Sequence, residues 1–247
     1  MKNHRTEPHL FTPIEINGTT LDEQRQYLID CMGIGDVWRV FRIMAEFAES
    51  FEALAKYSNA VTVFGSARTP EEHPYYERAR ELGRRIALEG LPLITGGGPG
   101  IMEAANRGAF ESGGRSVGMN IELPLEQKPN EYLTECLNFR YFFIRKVMLI
   151  KYSIAFVIFP GGYGTMDELF ESLTLIQTRR IRKFPVVLFD SDYWRGLVEW
   201  MSNKVLEDEN ISPKDLNLFH VTDSLDETIE IIKGSDQYIT TNTITHD

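Results

Sequence analysis

The stretch Pro160-Gly161-Gly162-Tyr163-Gly164-Thr165-Met166-Asp167-Glu168 places three glycines, the Tyr163 and Thr165 hydroxyls and the Asp167 and Glu168 carboxylates close together in the chain. Glycines let backbone N–H groups approach an anion with no side chain in the way. A helix start adds unpaired N–H groups and the positive end of a dipole. The apolar run Ile154 to Phe159 comes before the turn, and Leu169, Phe170, Leu173 and Ile176 follow at helical spacing. The pattern predicts strand, glycine-rich turn, helix, with Gly161 to Thr165 shaped to hold a phosphate and Glu168 beside it for chemistry. A first-turn carboxylate such as Asp167 or Glu168 also complements a helix dipole with no ligand at all. No Gly-Lys pair exists for a Walker A loop, and neither glycine cluster has the G-x-G-x-x-G spacing of a dinucleotide turn.

Two further loops have the same character. Gly96-Gly97-Gly98-Pro99-Gly100 follows the apolar run 91–95, and Gly65-Ser66-Ala67-Arg68 follows 61–64. In an open parallel sheet the carboxyl ends of strands share one edge, where ligands bind at a switch point. Three such loops on one edge predict a nucleotide-sized anion site. Gly65, Ser66, Arg68, Gly97 and Gly98 are its candidate contacts alongside Gly161, Gly162, Tyr163, Gly164 and Thr165. Arg145 and Lys146 interrupt an apolar, aromatic segment, Tyr141 to Met148. The planar fork of Arg145 suits phosphate or carboxylate. Adjacent helix residues point about 100° apart, so the two cations need not share a site. Glu168 and Glu171 fall at i, i+3 on one helix face.

The elements that must hold these residues alternate from Val61 onward. Strands are predicted at 61–64, 91–95, 115–119, 154–159, 185–189 and 217–221. Helices are predicted at 74–89, 101–112, 138–151, 166–179, 193–207 and 224–233. The pattern predicts an α/β fold: a Rossmann-like, doubly wound parallel sheet with helices on both faces. Residues 1–58 form an extension, irregular to 18 and helical over 20–57 with a break at Gly33-Ile34-Gly35. Residues 59–235 form the catalytic domain, and 236–247 a loose tail, since composition turns irregular from Gly234. Val37, Val40, Phe41, Met44, Phe47, Ala48, Phe51 and Leu54 form an apolar stripe, expected to pack on the same chain. Met119 and the loop 121–130 are expected to shape a base pocket.

Bulk properties exclude several classes. The 247 residues carry 26 Lys and Arg against 36 Asp and Glu, a net charge of −10, which argues against nucleic acid as partner. Cys31 and Cys136 form no metal-type pair, and His4, His9, His73, His220 and His246 are scattered, so no metal site is predicted. The polar start Met1 to Leu10 and the lack of a long apolar run predict a soluble, cytoplasmic protein with no membrane partner.

Taken in order, Gly65-Ser66-x-Arg68, Thr95 to Gly100, Arg145-Lys146 and Pro160-Gly161-Gly162-Tyr163-Gly164-Thr165-x-x-Glu168 resemble the LONELY GUY (LOG) family, long labelled "possible lysine decarboxylase". The resemblance spans about residues 60–235. Asn120 to Pro124, Leu173 to Thr178 and the N-terminal extension resemble its longer, bacterial-type branch. The resemblance implies a phosphoribohydrolase that cuts the N-glycosidic bond of nucleoside 5′-monophosphates, giving free base and ribose 5-phosphate. Cytokinin riboside 5′-monophosphates are the family's substrates, and AMP is often accepted. It implies Arg145 and Glu168 as the catalytic pair, Gly161 to Thr165 as phosphate loop, Lys146 and Thr174 as further substrate contacts, and Glu122 as a ribose or base contact. No cofactor is implied, and at least a homodimer is. A decarboxylase would need a pyridoxal phosphate lysine, for which Lys146 and Lys151 are the nearby candidates. The alternative from another class is a nucleotide or cofactor carrier, or a sensor, on the same fold without hydrolase activity.

Overall fold

A computed structural model describes residues 36–122 and 128–242. The chain divides into two units, residues 1–41 and 42–247. The first is described only from Asp36, where α1 (Asp36–Leu54) begins. Within it the rings of Trp38 and Phe41 lie 5.9 Å apart. The expected helix break at Gly33–Gly35 falls outside the described residues. The division lies inside α1, between Phe41 and Arg42.

The second unit is built on a parallel sheet ordered β4-β3-β2-β1-β5-β6-β7. Its strands are β1 (Ala60–Phe64), β2 (Leu93–Thr95), β3 (Ser116–Ile121), β4 (Glu135–Phe139), β5 (Ser153–Ile158), β6 (Val186–Phe189) and β7 (His220–Thr222). The helices between them are α2 (Pro74–Leu88), α3 (Ile101–Glu111), α4 (Phe142–Lys151), α5 (Tyr163–Gln177) and α6 (Ser191–Trp200), with α7 (Leu225–Asn242) last. The strands are covered on both faces, and β1, β3 and β6 are buried at every position, the polar Thr62, Ser116 and Asn120 included.

The crossover rule explains which helix lies where. From β1 the chain steps outward to β2 and β3, and right-handed crossovers put α2 and α3 on one face. After β4 it returns across the sheet to β5 and steps outward the other way, so α4, α5 and α6 fall on the opposite face. The two cores divide accordingly. Tyr76, Leu82, Ile86 and Ile101 pack on one side of the sheet together with Leu225 and Ile229 of α7. Ile144, Met148, Leu169, Ile176 and Trp194 pack on the other. The order reverses between β1 and β5, which places the loops after those two strands at the switch point.

Several expectations need correction. The predicted helix 138–151 begins at Phe142, and residues 135–139 form the edge strand β4. Residues 213–218 form a 3₁₀ turn rather than the start of the last strand, because Ser212 and Asp215 cap each other reciprocally. The helix predicted over 193–207 begins at Ser191 and passes into a π turn at Met201–Val205. The last helix continues past Gly234 to Asn242, where a loose tail is predicted. The apolar stripe of α1 is only half used within the sheet unit. Leu54 is fully buried and Ile43 and Phe47 pack on the core, but Met44 stays 60% and Phe51 39% exposed.

Candidate active site

Three loops meet at the carboxyl edge of the sheet, and the backbone ties them together. The Ser66 N–H donates to the Pro160 carbonyl at 3.0 Å, and the Ser66 carbonyl accepts from Ile101 N–H at 3.1 Å. These approaches need glycine. A Cβ on Gly65 would lie 2.6 Å from the Ile101 side chain, and one on Gly100 would overlap the Ser66 carbonyl. Gly97 and Gly100 also sit at φ of +74° and +70°, a region closed to most side chains.

Gly161 and Gly162 lead directly into α5. Gly162 is its N-cap and no side chain caps it, so the first N–H groups of the helix have no intrahelical or capping partner. Gly162, Tyr163 and Gly164 are exposed, Tyr163 at 97%, whereas Thr165 is buried beneath them.

One turn into α5, Glu168 points inward beside Arg145 of α4. Both helices lie on the same face of the sheet, so the two side chains meet despite their separation in sequence. Arg145 Nη2 is 3.7 Å from Glu168 Oε1, and the side chains are 14% and 6% exposed. That separation makes an ion pair without a hydrogen bond. Arg145 Nε and Glu168 Oε2 are both buried and have no hydrogen-bond partner. Buried polar groups are normally paired, and these two neighbouring atoms have no partner within the chain. The Phe142 ring lies 5.2 Å from the Arg145 guanidinium. Gly96 leaves room on another side, where a Cβ would come 3.6 Å from Arg145 Nη1.

Burial pushes the Glu168 carboxyl from its ordinary 4.5 up to about 7, against the lowering pull of the Lys146 and Arg145 charges. Burial also lowers the Arg145 pKa, and the Glu168 and Asp167 charges oppose this. A guanidinium nonetheless stays protonated. Lys146 is held between Asp167 Oδ2 at 2.6 Å and Glu171 Oε2 at 2.7 Å. Burial would lower its pKa, but those two hydrogen bonds outweigh it and raise it.

The other candidates divide into those at this edge and those away from it. Arg68 is exposed, with its N–H on Ser66 Oγ at 3.1 Å. Gly97 and Gly98 are buried, and their carbonyls accept from Asn130 Nδ2 at 3.1 and 3.0 Å, so they shape the edge from inside. Glu122 is exposed at the end of β3, 3.7 Å from Arg140 Nε. Thr174 is exposed and bonded to the Phe170 carbonyl. It lies roughly 16 Å along the α5 axis from Tyr163, so it does not meet the turn within one chain. Met119 is fully buried in the core and offers no surface to a base. Residues 123–127 of the expected pocket loop fall outside the described residues. Among the described residues no group of three His, Cys, Asp or Glu could hold a metal ion, and no helix is long and apolar enough to cross a membrane.

Sequence reasoning missed Asn106 and Tyr193, which shape the edge, and placed Asn130 only as the end of the expected pocket loop. Asn106 is fully buried in α3 and links Thr95, Ser116 and Asn130 through side-chain hydrogen bonds. Asn130 holds the second glycine loop, and Tyr193 of α6 reaches the Gly161 carbonyl. Only Asn106 carried a signal, as a polar residue on the apolar face of its helix.

Fold and site define a Rossmann-like α/β protein with a glycine turn opening a helix at the switch point and a buried arginine–glutamate pair beside it. Residues 102–232 match the family described as possible lysine decarboxylase, and the chain belongs to that family, the LOG family. It is 32% identical over 151 residues to a cytokinin riboside 5′-monophosphate phosphoribohydrolase of Rhodococcoides fascians, covering 60% of this chain and 76% of that one. It is 29% identical over 185 residues to the LOG1 enzyme of the same name from Arabidopsis thaliana, covering 72% and 83%. The fold also matches the molybdenum cofactor binding protein of Rippkaea orientalis with a TM-score of 0.52 at 24% identity, covering 72% of this chain and 96% of that one.

Proposed function

We propose that the protein hydrolyses the N-glycosidic bond of nucleoside 5′-monophosphates, cytokinin riboside 5′-monophosphates or AMP, to free base and ribose 5-phosphate. The observation that carries this reading is the buried pair with its two unpartnered atoms next to the glycine turn. A guanidinium N–H needs an acceptor and a carboxylate oxygen needs a donor. A hydroxyl is both at once, and a ribose carries two adjacent ones. The turn and the uncapped start of α5 would take the 5′-phosphate.

Cleaving the C1′–N bond builds positive charge on the sugar, as in glycoside hydrolysis. Glu168 in its ionised form stabilises that charge, in a setting where burial strengthens the interaction. Arg145 orients Glu168 and the sugar hydroxyls. It is not the general acid, because its guanidinium does not give up a proton. Lys146 holds Asp167 and Glu171, and so fixes the first turns of α5. The same contacts argue against the decarboxylase label. A Schiff-base lysine must become neutral, whereas Lys146 is held charged by two carboxylates.

We place a homo-oligomer in the same reading. Phe142, Phe143 and Val147 of α4 and Phe170 of α5 are 51%, 49%, 43% and 39% exposed in the single chain. A Val147→Glu variant is expected to sediment as monomer where the wild type does not.

The test is to incubate the purified protein with AMP, other nucleoside monophosphates and isopentenyladenosine monophosphate, and to quantify free base by chromatography. Base release abolished in Glu168→Gln is the expected result. Intact nucleotide binding with no release from any of them would assign the chain to the carrier or sensor class.

A further inference from the structure

The turn that opens α5 is tied at both ends: the Pro160 carbonyl accepts from Ser66 N–H and the Gly162 carbonyl from Met166 N–H, each at 3.0 Å. Between them lies the Gly161–Gly162 peptide, and Gly162 has no neighbour within 4 Å of where a Cβ would stand, so no packing constrains it from outside. Glycine peptides left to themselves sample many orientations. A turn that binds an anion through N–H groups loses affinity if those groups wander.

One side chain reaches this turn from outside its own helix. Tyr193 Oη donates to the Gly161 carbonyl at 2.6 Å. The base of Tyr193 is itself fixed. Its N–H donates to Asp190 Oδ1 at 2.8 Å, and the Asp190 N–H donates to the Thr222 carbonyl at 3.0 Å. Asp190 sits at φ +87°, a strained position for a residue with a side chain, which the surrounding contacts must enforce. Ser191 next to it donates through both N–H and Oγ to Asp223, each at 2.7 Å. Trp194 is fully buried with its Nε1 on the Phe189 carbonyl. The backbone that carries the tyrosine is therefore fixed on the sheet, and its half-exposed ring packs edge-on against Trp194 with centroids 4.9 Å apart.

The consequence follows from peptide geometry. A trans peptide is planar, and its C=O and N–H point in opposite directions. No peptide among the described residues is cis. Holding the Gly161 carbonyl toward Tyr193 turns the Gly162 N–H the other way, alongside the uncapped N–H groups that begin α5. We propose that Tyr193 is a positioning residue for phosphate: by fixing the Gly161–Gly162 peptide it sets the affinity of the glycine turn for a phosphate monoester. The proposal rests on the reading of the turn as the 5′-phosphate site, and a free phosphate shares the chemistry it would recognise.

Tyr193→Phe removes the hydroxyl and keeps the ring, which is 42% exposed. Calorimetric titration of the full-length wild type and variant with inorganic phosphate and with AMP measures the effect directly. Kd for both ligands is expected to rise about three- to tenfold, the worth of one hydrogen bond. The KM for AMP should rise in step while kcat stays within about twofold, since the lost interaction acts on binding and not on the transition state alone. Equal phosphate affinity in the two proteins overturns the proposal. So does a fall in kcat at unchanged KM, or a wild type that binds no phosphate. Phosphate binding that depends on Tyr193 in a wild type releasing no base would keep the proposal and remove the hydrolase reading.

Discussion

Replacing Glu168 by Gln has a stability signature that is separate from its effect on turnover. The folded protein holds this carboxyl at about 7 against an ordinary 4.5, with burial as the main cause. Between those values the folded state binds a proton that the unfolded state does not. The stabilisation is therefore fully present below pH 4.5 and is lost as pH rises through 7. At about 1.36 kcal/mol per pKa unit, the wild type should lose on the order of 2–3 kcal/mol between pH 5 and pH 8 from this group. Gln does not titrate, so the variant lacks this loss. Arg145 stays protonated throughout, and the cost of leaving it beside a neutral amide is the same at both pH values. It cancels in the comparison. For a chain of this size the difference in Tm between variant and wild type should move by about 5–10 °C in favour of the variant over that range. Thermal melts of both proteins at half-unit pH steps measure it. Two parallel Tm curves would falsify the buried, proton-holding state of Glu168. In kcat/KM the same group should appear as a rise through pH 7, because the ionised form is the active one and this parameter reports the free enzyme.

Other perturbations follow from the same contacts. Glu168→Gln should cut base release about 10²–10⁴-fold, the usual worth of a positioned catalytic group, with AMP binding retained in titration. Arg145→Lys keeps the charge but loses the Nε donor and the fork, and should cost about 10–100-fold in kcat/KM with little change in Tm. Gly161→Ala forces a methyl into the Thr165 side chain and should destabilise by about 1–3 kcal/mol in denaturant unfolding. Gly164→Ala meets nothing and lies in the helix, so the same experiment should show a gain of about 0.5–1 kcal/mol. Asn106→Leu removes one hydrogen-bond partner each from Thr95, Ser116 and Asn130, which keep their others, and should lower stability by about 1–3 kcal/mol.

The central strands were legible because parallel strands covered on both faces are largely apolar, as at 61–64 and 154–159. The edge strand β4 was not. Of its residues only Phe139 is buried, while Cys136 and Asn138 face solvent. An edge strand is covered too little to impose an apolar run, and Asn138 and Phe139 were read into the following helix. Tyr141, which separates the two, is extended at φ −110° and ψ 119°, a local choice that no side-chain pattern announces. The residues of the pair were named from sequence, but their meeting depends on α4 and α5 sharing one face, which follows from the reversal of strand order at β1 and β5. That reversal is a property of the whole sheet. Tyr193 could not be found from sequence for the same reason: its partner Gly161 belongs to a neighbouring strand–helix unit, and only the pairing of β5 with β6 brings them together.

The site divides its work between parts of different rigidity. Arg145 and Glu168 stand on helices whose inner faces are buried in one core, so their separation is set by packing that resists change. The glycine turn is held by backbone hydrogen bonds at its ends but opens on the surface at Gly162 and Gly164, and in the proposed function its N–H groups point at the 5′-phosphate. A side chain from outside adds a constraint at its carbonyl side, Tyr193 on Gly161, and in the second loop Asn130 does the same on Gly97. Each brace binds a carbonyl and leaves the opposite face of the peptide free. A peptide held by its oxygen presents its N–H without any side chain entering the site, and this lets a loop made of glycine be both open and oriented.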